Sequence, residues 1–158
     1  GQKAERVTDA LAALRLTEHR KAHPFSLSKG DRARVVIAAV LVLQPEILVF
    51  DEPTTGQDDA GSRAILGLTR KLHEQGRTIV VVTHHLYLMP GYASRALVMG
   101  QGRVLLDADL REAYHAMDIL EQTRLHPTQA VVLARANNPD SRALTPVEVA
   151  ESLLSTTP

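Results

Sequence analysis

The stretch Ile47-Leu48-Val49-Phe50-Asp51-Glu52 sets four apolar residues directly against two adjacent carboxylates, and the turn-forming run Pro53-Thr54-Thr55-Gly56-Gln57-Asp58 follows it. A second short β-branched run covers residues 79–82, and a helical pattern covers residues 59–74 between the two. Two short apolar strands joined through a helix predict a βαβ unit, whose strands are parallel and buried on both faces. Asp51 would then reach the carboxyl edge of the sheet, where open α/β folds bind ligands.

The rest of the chain divides into helical and hairpin segments. Apolar spacing predicts an amphipathic helix over residues 3–15. Ser28 opens a second helix that is apolar on every side and therefore buried, and Pro45 ends it. Strands over 95–99 and 103–106 form a predicted hairpin. Beyond Asp107 the pattern is helical: one stripe contains Leu110, Ala113, Tyr114, Met117 and Leu120, and a second short helix covers 147–154.

Length and composition restrict the class of protein. The 158 residues suffice for one compact domain, with 44% apolar residues and 18 basic side chains balancing 18 acidic ones. This balance gives no sign of a nucleic-acid partner. The longest apolar run, residues 35–43, is far shorter than the ~20 residues of a membrane-spanning helix. The chain has no cysteine, and it starts with Gly1 without a leader-like segment, so we expect its beginning to be cut.

The two carboxylates suggest metal and water chemistry. Asp51 suits Mg²⁺, a hard cation that takes carboxylate oxygen and usually travels with substrate phosphates. Glu52 would face a reacting centre, where it could orient or deprotonate an attacking water. The structural alternative is that Asp51 caps the following turn and Glu52 is solvated.

Four segments in one order resemble the motifs of ATP-binding cassette (ABC) ATPases. Residues 27–31, Leu-Ser-Lys-Gly-Asp, resemble the signature loop, and 47–51 resemble the Walker B strand, with Glu52 as the catalytic glutamate. Residues 55–58 are similar to the D-loop, and Thr83-His84 to the switch histidine motif. The resemblance covers roughly residues 3–106. It implies ATP and Mg²⁺ as cofactors, with Asp51 serving the metal.

The resemblance also assigns the remaining site residues. Ser28, Lys29, Gly30 and Asp31 would meet a γ-phosphate at a helix N-terminus, although Lys29 and Asp31 stand where the common pattern has Gly and Gln. The alternative for this segment is plain helix capping. His84 would contact the γ-phosphate or the water, with His85 as the competing candidate. Asp58 would contact a partner across a dimer interface, or else cap the next helix.

The fold expected from the resemblance is α/β: a partial P-loop NTPase (RecA-like) parallel sheet with flanking helices and a small helical C-terminal tail. The predicted domains are residues 1–106, the C-terminal half of an ABC ATPase domain, and residues 107–158, a mostly helical extension. No Gly-x-x-x-x-Gly-Lys-Ser/Thr string occurs in these residues, so we expect the N-terminal P-loop portion to be lacking and the 158 residues alone to be inactive. We also expect the missing strand to leave apolar surface bare.

The sequences of residues 51–58 and 27–31 resemble those of the energy-coupling-factor branch, whose ATPases drive uptake of vitamins and of cobalt or nickel ions. This implies a second ABC ATPase subunit, a transmembrane transporter subunit, and a place in the cytoplasm at the inner face of the membrane. Two alternatives stay open: a non-catalytic truncated cassette that acts as an interaction module, and a non-transport ABC ATPase acting on DNA or ribosomes. The segment between the signature loop and Walker B leaves no room for a long coiled-coil arm, which disfavours the last.

Overall fold

The computed structural model describes residues 1–155, which form two compact units divided between Thr83 and His84. The first unit is an α/β arrangement of three α-helices, two short 3-10 helices and a parallel pair of strands. The second unit combines an antiparallel hairpin with short helices. The α/β class predicted from the sequence is thus confirmed. The predicted division into residues 1–106 and 107–158 stays a prediction.

Two helices open the first unit. Helix α1 spans Gln2–Ala13, and α2 spans Lys29–Leu41 with Ser28 as its N-cap. The prediction that α2 is buried on every side is wrong, because Val36 is 66% exposed and Val40 45% exposed. Only Ala38 and Leu41 of this helix are fully buried. Helix α2 therefore packs through a single face, and its opposite face is apolar but open.

The βαβ unit follows the predicted order. Strand β1 spans Ile47–Asp51, α3 spans Asp59–Glu74 and β2 spans Thr78–Val82. The two strands are parallel, and their register pairs Val49 with Val80 and Asp51 with Val82. The helix bounds match the predicted residues 59–74. This connectivity brings the C-terminal ends of both strands to the same edge of the sheet.

The core of the first unit lies on one face of this sheet. Leu48 and Phe50 point into it, whereas Ile47 and Val49 are 64% and 66% exposed. The prediction that both faces are buried is therefore wrong, because helices α1, α2 and α3 contribute to the core on the Leu48 side alone. The buried members of this core are Ala10, Leu14, Leu16, Ala38, Leu41, Leu48, Phe50, Leu68 and Leu72.

The second unit begins with the segment around His84 and continues into the predicted hairpin. Strand β3 spans Arg95–Gly100 and β4 spans Arg103–Asp109, and the two are antiparallel. Gln101 and Gly102 both have positive φ, 52° and 74°. This is the backbone that a two-residue hairpin turn requires to match the strand twist.

Four helices follow the hairpin: α4 at Leu110–His115, α5 at Met117–Thr123, α6 at Gln129–Asn137 and α7 at Pro146–Ser155. The apolar stripe predicted over residues 110–120 lies on two helices, because Ala116 leaves the helical backbone with φ −79° and ψ 67°. The predicted helix over 147–154 is confirmed as α7. Within the described part of the chain we find no helix with the length and apolarity needed to cross a bilayer.

A charged clamp fixes the start of α7. Arg111 on α4 donates to the Glu148 carboxylate at 2.6 Å and to the Arg142 carbonyl at 2.9 Å. Glu148 also accepts the backbone N–H groups of Leu144 and Thr145 at 2.6 and 3.3 Å. Thr145 in turn accepts the Glu148 N–H at 3.2 Å, which completes a reciprocal capping box. The N-terminus of α7 is thereby tied to α4.

This clamp predicts an acid-sensitive second unit. The hydrogen bond from Arg111 lowers the pKa of Glu148 from its ordinary 4.5 to about 2, and the two backbone donors act in the same direction. A carboxylate whose pKa is lower in the folded state stabilises the fold above the unfolded pKa and loses that contribution as pH falls. We therefore expect the melting temperature to decline between pH 4.5 and pH 2. Thermal unfolding followed by circular dichroism measures it.

The matched variant for this prediction is Glu148→Gln, which keeps the size of the side chain. It should melt at a lower temperature than the unchanged chain near neutral pH and show a flatter dependence in the acid range. Equal acid slopes for the two proteins would show that other groups carry the pH dependence.

Candidate functional site

The tip of β1 presents both predicted carboxylates. Asp51 is the last residue of the strand and is exposed. Glu52 follows with a left-handed backbone, φ 46°, and its N–H donates to the Val82 carbonyl at 2.9 Å. Non-glycine residues adopt this conformation rarely. The turn at Glu52 ends the strand and directs its side chain differently from that of the strand residues.

Two threonine hydroxyls hold the Glu52 carboxylate. Thr83 Oγ1 donates to Glu52 Oε2 at 3.4 Å, and Thr55 Oγ1 donates to the same oxygen at 3.5 Å. The sequence reasoning did not assign these two threonines a role. A signal for Thr83 was available in the sequence, because Glu52 and Thr83 each come directly after one of the two predicted parallel strands. Both contacts help to orient this carboxylate at the strand tip.

The N-terminal turn of α2 contains the signature-like residues. Ser28 Oγ accepts the Asp31 N–H at 3.1 Å, which is the helix cap anticipated as the structural alternative. The same hydroxyl donates to Asp31 Oδ2 at 2.6 Å. Arg34 Nη2 contacts the other carboxylate oxygen at 2.5 Å. The hydrogen bond from Ser28, assisted by the Arg34 charge, lowers the pKa of Asp31 below its ordinary value.

The D-loop-like turn touches this helix end within the same unit. Gln57 Nε2 donates to the Gly30 carbonyl at 3.3 Å. A Cβ added at Gly61 would lie 2.7 Å from Gln57 Oε1, and one at Gly30 would lie 3.1 Å from it. A side chain at Gly61 would force the Gln57 amide to shift, and one at Gly30 would crowd it. Sequence reasoning missed Gln57, since nothing in its spacing marks a partner 27 residues away.

Asp58 is the N-cap of α3. Its Oδ1 accepts the Gly61 N–H at 2.7 Å, so the capping alternative describes this residue in the isolated chain. The cap engages one oxygen of the Asp58 carboxylate, and the residue is exposed at the surface. The predicted contact across a dimer interface stays a prediction.

His84 and His85 open the second unit, one peptide bond beyond Thr83. His84 is exposed and His85 is half-buried, and their ring centroids lie 4.2 Å apart. The following turn is anchored from α4, because the buried Tyr114 hydroxyl donates to the Leu86 carbonyl. Burial raises the pKa of Tyr114, so this phenol stays protonated. The approach of His84 to Asp51 and Glu52 stays a prediction.

The first unit thus brings together an oriented carboxylate at a strand tip, a second carboxylate beside it, and a capped helix N-terminus in contact with the intervening loop. A parallel βαβ unit with carboxylates at this edge places the chain in the α/β class, whose open sheets bind ligands at the carboxyl ends of their strands. A family model described as ABC transporter matches residues 2–55. The chain belongs to the ATP-binding cassette family of transporter ATPases, whose members bind and hydrolyse ATP.

Individual relatives support this assignment. A putative ABC transporter ATP-binding protein of Methanosarcina mazei is 39% identical over 130 residues, covering 82% of this chain and 22% of the relative. The energy-coupling factor transporter ATP-binding protein EcfA of Methanocaldococcus jannaschii is 34% identical over 138 residues, covering 87% of this chain and 50% of the relative. The chain therefore spans between a fifth and a half of the length of these two proteins.

A solved structure confirms the fold. The cbiO1 protein of Clostridium perfringens, part of the ABC transporter complex cbiONQ, superimposes with a TM-score of 0.63 and 34% identity. The match covers 75% of this chain and 47% of that protein. The α/β class and the ABC resemblance predicted from the sequence are both confirmed by this comparison.

Proposed function

We propose that this chain is part of the ATP-hydrolysing subunit of an ABC importer of the energy-coupling-factor type, which powers uptake of a vitamin or a transition-metal ion. The observation that carries the proposal is the Glu52 carboxylate, held beyond the tip of β1 by the hydroxyls of Thr55 and Thr83. The relative named as an energy-coupling factor ATP-binding protein supports the branch.

Glu52 has the geometry of a water-orienting base. The hydroxyls of Thr55 and Thr83 donate to one oxygen of its carboxylate, and a carboxylate positioned in this way can accept a proton from water. In the proposal, Glu52 orients the water that attacks the γ-phosphate and accepts a proton from it at a carboxylate oxygen. His84 donates a hydrogen bond to the phosphate or the water.

The residues at the strand tip suit Mg²⁺. Asp51 offers an exposed carboxylate at the end of β1, and a cation of this kind is commonly held by one or two carboxylates together with substrate phosphates. The ion, when bound, neutralises charge on the phosphate oxygens. Asp51 would hold it directly or through a water.

The N-terminus of α2 serves a second subunit in this proposal. The first-turn N–H groups at Lys29 and Gly30 precede the hydrogen-bond ladder of the helix and favour an anion, and Ser28 and Asp31 frame the same turn. They would face the γ-phosphate of a nucleotide bound mainly by a second ABC ATPase subunit, and Asp58 would lie at that interface. The pair would dock on a transmembrane subunit at the cytoplasmic face of the membrane.

The two neighbouring histidines provide the test of this function. In the assembled ATPase that contains this chain, His84→Ala should lower the rate of ATP hydrolysis by about 10²-fold, the scale for losing one donor to a developing charge. His85→Ala, the matched variant one residue away, should change the rate by no more than a few-fold. A coupled-enzyme assay of phosphate release measures both.

The same preparation in liposomes should hydrolyse ATP faster when the transmembrane subunit is present than when it is absent. If the His84→Ala variant hydrolysed ATP at the rate of the unchanged protein, the importer function would be contradicted. Equal hydrolysis rates with and without the transmembrane subunit would contradict it as well.

A further inference from the structure

The hydroxyl of Ser28 is engaged on both sides by Asp31. It accepts the Asp31 N–H at 3.1 Å and donates its own proton to Asp31 Oδ2 at 2.6 Å. A serine hydroxyl carries a single proton. While that proton is shared with the Asp31 carboxylate, Ser28 cannot donate it to a phosphate at the same helix end.

The carboxylate is held firmly in this position. Arg34 contacts its second oxygen at 2.5 Å, and the side chains of Asp31 and Arg34 are only 17% and 19% exposed. Arg34 is itself fixed by a hydrogen bond from its Nη1 to the Leu14 carbonyl at 3.3 Å. Because charge-assisted hydrogen bonds are strong where solvent is partly excluded, Asp31 does not rotate away without losing both partners.

The position of this negative charge matters as much as the lost donor. Helix N-termini attract anions through free N–H groups and the helix dipole, and Asp31 already supplies a carboxylate within the first turn of α2. A phosphate approaching Lys29 and Gly30 would therefore meet a like charge. It would also compete with Asp31 for the proton of Ser28.

We propose that Asp31 acts as an internal anion that occupies the phosphate-facing end of α2 and weakens the contribution of this chain to the nucleotide site of its partner subunit. The inference rests on the proposed function, in which α2 faces the γ-phosphate. Asp31 then sets the affinity of the part of the nucleotide site that this chain contributes. In a mixed dimer the two nucleotide sites would therefore differ in their affinity for Mg-ATP.

Asp31→Gln is the informative variant, because the glutamine is neutral and the cap from the residue-31 N–H to Ser28 Oγ does not need the carboxylate. In the assembled ATPase, the apparent KM for Mg-ATP should fall about tenfold, the scale of one recovered hydrogen bond to a charged group. Asp31→Asn should shift the KM in the same direction. Asp9→Asn, which removes an exposed carboxylate on α1, is the matched control and should leave KM unchanged.

A double variant separates phosphate binding from helix capping. Ser28→Ala should raise the KM more in the Asp31→Gln background than in the unchanged chain, and it should cancel most of the tenfold gain. Loss of the cap alone would affect both backgrounds equally. This coupling is the readout that a merely structural role of Asp31 would not produce.

The outcomes distinguish this inference from the proposed function. If Glu52→Gln blocks hydrolysis while Asp31→Gln and Asp31→Asn leave KM unchanged or raise it, the internal anion is wrong and the ATPase assignment stands. If Glu52→Gln hydrolyses ATP normally, the assignment itself fails. A fall in KM that Ser28→Ala does not cancel also overturns the inference, because the gain would not pass through Ser28.

Discussion

Replacing Glu52 with Gln should slow ATP hydrolysis in the assembled ATPase by about 10²–10⁴-fold, the range for removing a general base. Binding of Mg-ATP should persist, because the amide is nearly isosteric and still accepts hydrogen bonds from Thr55 and Thr83. Single-turnover hydrolysis, measured beside equilibrium binding of Mg-ATP, separates the two effects. The expected pattern is a large loss in the chemical step with little change in affinity.

Glu46→Gln supplies the matched control for this experiment. Glu46 is exposed and directly precedes β1, whereas Glu52 follows its opposite end. The same chemical change there should leave the hydrolysis rate unchanged. Hydrolysis by Glu52→Gln at the rate of the Glu46→Gln protein would show that Glu52 has no part in the reaction.

Truncating Leu14 to Ala should lower the free energy of unfolding of the first unit by about 2–5 kcal/mol. Leu14 is fully buried, and its neighbours in the core come from α1, α2, α3 and both strands. Removing its side chain therefore loses apolar burial and leaves a cavity among elements that cannot all move to fill it. Urea unfolding followed by far-ultraviolet circular dichroism measures the change.

Leu43→Ala makes the same chemical change at a residue that is 77% exposed. Surface substitutions of this kind usually change stability by less than about 0.5 kcal/mol. Comparable urea midpoints for the two variants would mean that the core of the first unit does not depend on Leu14 and that the packing described above is incorrect.

Local patterns predicted the elements better than they predicted burial. The bounds of α3 follow from the Asp58 cap and the amphipathic spacing of residues 59–74, and both signals are local. Burial of β1 could not be predicted in the same way. All four residues 47–50 are apolar, so their pattern does not reveal that only one face is covered. The break at Ala116 was also hidden, because alanine is a strong helix former and the interruption arises from tertiary context.

The candidate site shows the same division. The positions of Asp51 and Glu52 at a strand tip followed from the sequence, and so did the capped helix at Ser28. The contact of Gln57 with Gly30 joins residues far apart in the chain, and no spacing rule reports it. The bond between Ser28 and the Asp31 carboxylate depends on side-chain rotamers that Arg34 fixes. Such details require the folded arrangement, since they arise from packing and not from the order of residue types.

The left-handed backbone at Glu52 sets the stability of the fold against the catalytic role proposed for this residue. Glycine, and to a lesser degree asparagine, adopts this conformation with little strain, whereas a residue with a longer side chain loses on the order of 1–2 kcal/mol. Selection for a sturdier fold alone would thus favour replacing the glutamate with a smaller residue. The catalytic role proposed for Glu52 would account for a carboxylate at a position where the backbone favours glycine.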